Sequence, residues 1–247
     1  MPDRRKHRGP HPEDARLFAP ALWPVLGQAT ADLCWLLSRG YAGKSALKLV
    51  GDRHDLVARQ RTAVGRCSCS DAQAARRREH QVAPERLAGR PLWLDGYNVL
   101  TTVESALAGG VLLAARDGAY RDMASMHGSY RKVAETLPAL EVLGRVTAAL
   151  DVSQCLWYLD RPVSNSGRLK EIIQRVADAK GWPWRVELVP DPDAPLAETS
   201  QVVATADSAI LDRCAAWFNL ARETIARHVP EAQVVELGGS GSRPTAQ

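Results

Sequence analysis

The chain has 247 residues, 45% of them hydrophobic and 24% charged, with a formal net charge of +4, a composition normal for a folded protein with a real core. No run approaches the roughly 18 uninterrupted apolar residues that a membrane helix needs, and the opening Met1-Pro2-Asp3-Arg4-Arg5-Lys6 has no apolar signal-peptide core behind it. The five cysteines are odd in number and scattered, unlike a secreted disulfide framework, so reduced thiols and a cytoplasmic location are expected, with no membrane partner.

In chain order, residues 1–12 combine Pro, Gly and basic side chains without periodicity and are expected to be disordered. Leu22, Val25, Leu26, Ala29, Leu33, Leu36 and Leu37 then recur at helical spacing, and Gly40 supplies a C-cap. Ala46 to Arg66 predicts further helix, broken near Gly51. Ser70 to Gly89 predicts a polar helix that frays into a linker. Residues 13–89 thus form a small helical, basic domain. Within it Cys67 and Cys69 make a C-x-C pair, but a structural zinc takes four ligands and no second pair lies nearby. His54 and His80 are candidates to complete such a site; packing is the expected role.

Beyond Arg90 short apolar runs alternate with helical patterns. Leu92–Leu94, Val111–Ala115, Cys155–Leu159, Arg185–Val189, Gln201–Thr205 and Gln233–Leu237 predict strands. Tyr120 to Leu150, Ser166 to Lys180 and Ser208 to His228 predict helices. This alternation indicates a mainly parallel sheet covered by helices on both faces. Residues 90–237 therefore form one α/β domain, and the Gly/Ser/Pro-rich tail 238–247 is expected to be disordered.

Ligands of open parallel sheets bind beyond the carboxyl ends of the strands, and the acidic residues of this domain follow that rule. Asp95 follows Leu92-Trp93-Leu94, Asp160 follows the Cys155–Leu159 run, Asp191 and Asp193 follow Val189, and Asp207 follows the Gln201–Thr205 run. One such aspartate alone reads as well as a helix N-cap. Four strand ends bearing aspartate at one sheet edge would repel one another unless a divalent cation or a substrate-bound metal neutralised them. An all-oxygen set suits Mg²⁺ or Mn²⁺, and the natural chemistry is phosphodiester hydrolysis. A haloacid-dehalogenase-type phosphatase fits less well, because that chemistry wants an aspartate two residues after the nucleophile and position 97 is Tyr.

The run Asp95-Gly96-Tyr97-Asn98-Val99-Leu100 resembles the opening motif of NYN domains, a branch of the PIN-like ribonucleases. Leu159-Asp160 and Val203-Ala204-Thr205-Ala206-Asp207 resemble the intermediate and late motifs of that superfamily. The whole chain is also similar to an uncharacterised prokaryotic family in which a basic helical domain of unknown function precedes a PIN-like half. The resemblance implies a three-layer α/β domain with a mainly parallel sheet preceded by a small all-α domain. It further implies metal held by Asp95, Asp160 and Asp207 with Asn98 in support, and Asp193 as an additional candidate. Val99 to Asp122 departs from the pattern: Glu104, Gly109-Gly110 and Asp117 to Asp122 predict an inserted hairpin or extended loop in place of a direct run into a helix. Glu104 is then the candidate for the helix-borne acid of many PIN domains, with Asp117 and Asp122 as turn residues or substitutes.

The basic surplus falls wholly before residue 90, and the α/β part is acidic. A basic arm on an acidic module suits a polyanion partner, although an Arg- and Ala-rich composition also follows from a GC-rich genome. Arg59 and Arg66 are seven apart, with Arg53 and Arg61 near the same stripe, and predict a phosphate-gripping face. Its alternative is a solvated face paired with Asp52, Asp55 and Glu79. Ser166, Arg168 and Lys170 open the helix after Asp160 and form a second candidate phosphate site, or an ordinary cap. The expected function is a Mg²⁺- or Mn²⁺-dependent nuclease acting on RNA, with DNA as the other candidate polymer. The alternative is a non-catalytic nucleic-acid- or nucleotide-binding module. The oligomeric state is not legible.

Overall fold

The computed structural model describes residues 7–124 and 130–239, and its first third is helical, as the periodicity requires. α1 (Asp14–Leu17) and a 3-10 turn lead into α2 (Trp23–Ser38), α3 (Gly43–Arg53), α4 (Ala58–Cys67) and α5 (Asp71–Glu79). α2 ends at Gly40, whose φ of 79° is the left-handed conformation that glycine adopts without strain. The break expected near Gly51 falls later. Asp55 takes a positive φ of 49°, and Leu56 N–H donates to Gly51 O at 2.9 Å, a Schellman-type closure. α5 starts at a capping box, in which Ser70 Oγ accepts from Gln73 N at 3.2 Å and Ser70 N donates to Gln73 Oε1 at 2.9 Å.

The remainder is α/β. In order come β1 (Pro91–Asp95), α6 (Gly96–Leu107), β2 (Leu112–Ala114), β3 (Tyr120–Asp122), α7 (Thr136–Ala149), β4 (Gln154–Asp160) and α8 (Ser166–Lys180). They are followed by β5 (Trp184–Val189), α9 (Asp193–Glu198), β6 (Val202–Ala204), α10 (Ser208–Leu211), β7 (Ala216–Phe218), α11 (Leu220–His228) and β8 (Val234–Glu236). Five parallel strands form the main sheet in the order β5-β4-β1-β6-β7. A second sheet, β3-β2-β8, pairs β2 antiparallel to β3 and parallel to β8.

Three expectations are corrected. α6 runs directly out of β1, so the inserted hairpin does not replace the helix but follows it as β2 and β3. The segment read as helix from Tyr120 begins as a strand, and its helix starts only at Thr136. The single helix expected from Ser208 to His228 is interrupted by β7, because α10 closes after one turn and Trp217 is drawn into the sheet edge. Three-residue strands inside apolar stretches have no period of their own to betray them.

Side chains of the main sheet alternate between two cores. Leu92, Leu94, Trp157, Leu159, Val202 and Phe218 face the side covered by α6, α7, α8 and α11. Trp93, Leu156, Tyr158, Val203 and Trp217 face α9 and α10. Each fully buried leucine of these cores contributes about 1.5–3 kcal/mol of transfer free energy.

The N-terminal helices do not enclose a separate core: Leu26, Leu33, Val50 and Val64 pack with Leu113 of β2, Met123, and Val235 and Leu237 at β8. Of the tails expected to be disordered, 1–6 and 240–247 lie outside the described residues. His7–Pro12 runs over the surface and is anchored at Arg8, which is buried with its Nε 2.5 Å from Glu104 Oε2.

Helical and α/β parts are joined by a buried ion network. Asp117, in the β2–β3 turn, accepts from Arg77 of α5 (Nη1 to Oδ2, 2.6 Å) and from Arg121 of β3 (2.9 and 2.7 Å). Arg77 also reaches Asp212 Oδ1 at 2.7 Å and Ser208 O at 3.3 Å, and Arg121 Nε donates to Ala206 O at 2.9 Å. The two guanidiniums thus clamp the loop that follows β6. Burial alone would raise the Asp117 carboxyl, but Arg121 and Arg77 hold it below the ordinary carboxylate range. A carboxyl depressed in the folded state stabilises it fully above about pH 4 and loses that contribution as pH falls through the folded value. Asp117→Asn is expected to cost roughly 3–5 kcal/mol at pH 7, since it strips Arg121 of its carboxylate and leaves Arg77 with Asp212 alone. The same variant should flatten the acid limb of stability below about pH 4, as read by urea denaturation across pH.

Candidate functional site

β1 and β6 are neighbours in the sheet, yet the chain leaves them toward opposite edges, β1 leading on to β4 and β6 to β7. Their carboxyl ends therefore form the switch-point crevice of a doubly wound sheet. Asp95 ends β1 and is buried. Gly96 must follow it, since a Cβ there would stand 2.7 Å from Tyr158 O and 2.6 Å from Leu159 Cδ2 on β4. This close approach explains the Asp-Gly pair and turns the chain at once into α6.

Hydrogen bonds fix the two strand ends to each other. Thr205 Oγ1 donates to Asp95 Oδ2 at 2.8 Å and accepts from Asp207 N at 2.9 Å. Asn98 Oδ1 accepts from Ala206 N at 2.8 Å. Asp207 Oδ1 accepts from Ala209 N at 2.7 Å and Ile210 N at 3.3 Å, capping α10. Above these residues opens a cleft of about 380 Å³, lined by Asp95, Tyr97, Asn98, Asp122, Asp207 and Arg66 among others.

The cleft is electrostatically loaded. Burial pushes the Asp95 carboxyl up to about 7, the Asp207 and Asp193 charges push the same way, and the Thr205 hydroxyl only partly offsets them. Asp193, the first residue of α9, is raised by burial and then by Asp207, Asp191 and Asp160. Asp160 is raised by burial and by Asp191.

Not every predicted carboxylate reaches the cleft. Asp160 ends β4 away from it and makes itself felt at Tyr97, whose phenol is raised by burial and by that charge. Asp193 N donates to Asp191 Oδ1 at 3.0 Å. Glu104 faces the other way, its oxygens bound by Arg8 Nε, Tyr130 Oη (2.6 Å) and Thr136 Oγ1 (2.7 Å). Asp117 is held in the arginine network. Asp122 does line the cleft, with Oδ2 accepting from Thr102 Oγ1 at 3.0 Å and Oδ1 from Ala124 N at 2.7 Å. Among the described residues no three His, Cys, Asp or Glu side chains come together as a ready metal cage.

The basic face is rearranged more thoroughly. Arg59 forms a bidentate pair with buried Asp14, at 2.5 and 2.9 Å, and Arg61 pairs with Asp52 at 2.8 Å while donating to Leu56 O. Arg53 remains exposed, 3.7 Å from Asp32. Arg66 turns toward the cleft. Ser166 Oγ donates to Arg161 O, the cap position is Asn165 at φ 70°, and Arg168 and Lys170 are exposed. Cys67 and Cys69 are buried thiols pushed up to about 12 and about 11 by burial, His54 pairs with Asp32, and His80 contacts Cys214 O. These side chains make no zinc site. The roles of Tyr97, Arg77 and Arg121 were missed, and so was the placement of Arg66 against the strand-end carboxylates, since no spacing in the sequence links α4 and α5 to β1 and β6.

Because the folded state holds the Asp95 proton more tightly than the unfolded chain, stability should fall as pH rises from about 4 to 7. Asp95→Asn is expected to be more stable than the parent at pH 8 without divalent cations, by on the order of a few kcal/mol, with the advantage gone below about pH 4. Thermal melts across pH check this; a variant less stable at every pH would contradict it.

Comparison with known proteins places the chain among families of unknown function. Residues 84–223 match the model described as Domain of unknown function (DUF5616), and residues 25–80 match that of Protein of unknown function (DUF434). The uncharacterized protein MJ0935 of Methanocaldococcus jannaschii is 28% identical over 184 residues, covering 74% of this chain and 88% of that protein. No solved structure matches. With its α/β half matched from the 3-10 turn before β1 into α11, the chain belongs to the DUF5616 family and has a DUF434 segment before it.

Proposed function

We propose that the cleft is the active site of a divalent-cation-dependent nuclease of the PIN-like, NYN type, hydrolysing phosphodiester bonds in RNA. The observation that carries this reading is the convergence of Asp95 and Asp207 on one cleft at the sheet's switch point, where burial and the neighbouring Asp207 charge disfavour ionisation of Asp95. Small hard cations need few protein ligands: Mg²⁺ keeps several waters and binds through one or two carboxylates plus substrate phosphates. Asp95 and Asp207 fit that requirement without a third acid, and the all-oxygen donor set suits Mg²⁺ or Mn²⁺. When bound, the cation supplies positive charge at the phosphodiester and activation of the hydrolytic water.

The chain's own residues set the geometry. The Thr205 hydroxyl donates to the Asp95 carboxylate and accepts from the Asp207 backbone N–H, so one side chain ties the two strand ends together. Asn98 locks the intervening Ala206 amide. The resemblance of Asp95-Gly96-Tyr97-Asn98 and Thr205-Ala206-Asp207 to the superfamily motifs agrees with these positions. Asp160 and Asp193 lie outside the cleft lining and are proposed to tune its field.

A non-catalytic binding module is the second reading, favoured by the caps and hydroxyl bonds that already occupy Asp207 and Asp95 and by the lack, among the described residues, of a ready three-acid cage. Incubation of the purified chain with end-labelled single-stranded RNA and Mn²⁺ separates the two. Cleavage is expected, with Asp95→Asn and Asp207→Asn each slower by about 100-fold or more, the scale of a lost charge-stabilising group. Undiminished cleavage by Asp95→Asn would assign the activity elsewhere, and metal binding without turnover on RNA and DNA would favour the binding module.

A further inference from the structure

We propose that Arg66, carried by the N-terminal helices, is the phosphate-binding cation of this cleft, so that its ligand is a phosphate ester held between this guanidinium and the Asp95–Asp207 edge. The inference rests on the preceding reading for the cation at that edge, but not for the anion.

Arg66 lies in the last turn of α4 and lines the cleft with Asp95 and Asp207. Its Nη1 donates to Asp122 O and its Nη2 to Ala124 O at 3.3 Å. Two of its five N–H groups are thus used on backbone carbonyls, which position the fork and leave the charge unneutralised. Among the described residues no carboxylate forms an ion pair with it. Its neighbours differ: Arg59 is matched by Asp14, Arg61 by Asp52, and both Arg77 and Arg121 by Asp117.

Asp95, Asn98 and Asp207 line the same cleft, so the unneutralised guanidinium and the proposed cation-binding edge share a space of about 380 Å³, a size typical of small-ligand sites. A phosphate ester suits both sides, since it ligates hard cations and accepts a forked guanidinium pair. Arg66 belongs to the DUF434-matched segment and the carboxylates to the DUF5616-matched one, so the site is composite.

The test is calorimetric titration of inorganic phosphate into the full chain with MnCl₂ present. The parent is expected to bind, and Arg66→Gln to bind at least about tenfold more weakly, as expected for a lost charge-assisted pair, with Mn²⁺ affinity unchanged; Arg66→Lys should fall between. If Arg66→Gln does not fold, protection of Arg66 from phenylglyoxal in the parent serves instead, and phosphate should slow the modification about fivefold or more on that same scale. Phosphate affinity that is absent in the parent, or indifferent to Arg66, or modification unaffected by saturating phosphate overturns the proposal. Mn²⁺ bound with Arg66 indifferent leaves the metal reading standing alone. Phosphate binding that needs Arg66 without any Mn²⁺ binding leaves only the present inference. Uridine 5′-monophosphate and a single-stranded oligoribonucleotide, compared in parallel, separate a free phosphate ester from a nucleic-acid source.

Discussion

The carboxylate of Asp117 is shared by two guanidiniums in the interior, and most of the architecture around the cleft hangs on that arrangement. Arg77 arrives from α5, Asp117 from the β2–β3 turn and Arg121 from β3, while both arginines go on to the backbone at Ala206 and Ser208. A buried charge is tolerated only when it is paired and its remaining hydrogen bonds are used. Here each donor that completes the pairing also immobilises a different segment. Asp207 inherits its position from this joint, because the residues on both sides of it are clamped.

Chain segments distant in sequence therefore share responsibility for one crevice. The carboxylate side comes from β1 and the β6 loop, and the guanidinium side from α4. Separately each part is unfavourable: two acids near each other without a counter-charge, and an arginine without an acid. Their opposition across one cleft is the arrangement that an anionic ligand accompanied by a cation would neutralise from both directions.

The legible parts of the sequence were those whose signal is local. The apolar runs of β1, β4, β5 and β6, and α8 with its terminal Gly181, stood out because strand or helix period spanned enough residues to be recognised. β3 and β7 did not, being three residues each and too short to show a period within segments read as helix, and the pairing of Leu112 with Val234 joins segments with most of the domain between them. In the cleft, Asp95 and Asp207 stood out because each follows a strand, whereas Asn98, inside α6, was named through the likeness of its run to the NYN motif. Glu104 was misdirected, since spacing cannot tell that its helix turns it toward Arg8 and Tyr130. The Arg59 and Arg66 stripe was real in period, but a helical stripe facing Asp14 reads the same as one facing solvent.

The second sheet bears on how the chain reaches this state. β8 contributes Val235 and Leu237 to the core of the N-terminal helices, and the segment after α5 is stitched to β7 by Val82 N–H on Trp217 O and Trp217 N–H on His80 O. During synthesis the helices emerge first, yet their apolar faces wait for strands made more than a hundred residues later. Such distant closures must be organised before they are rewarded, which slows folding. Until β8 is made, Leu26, Leu33 and Val64 have only the neighbouring helices and β2 as cover, so the first third of the chain exposes part of its apolar surface while translation continues, the condition under which partly folded chains aggregate.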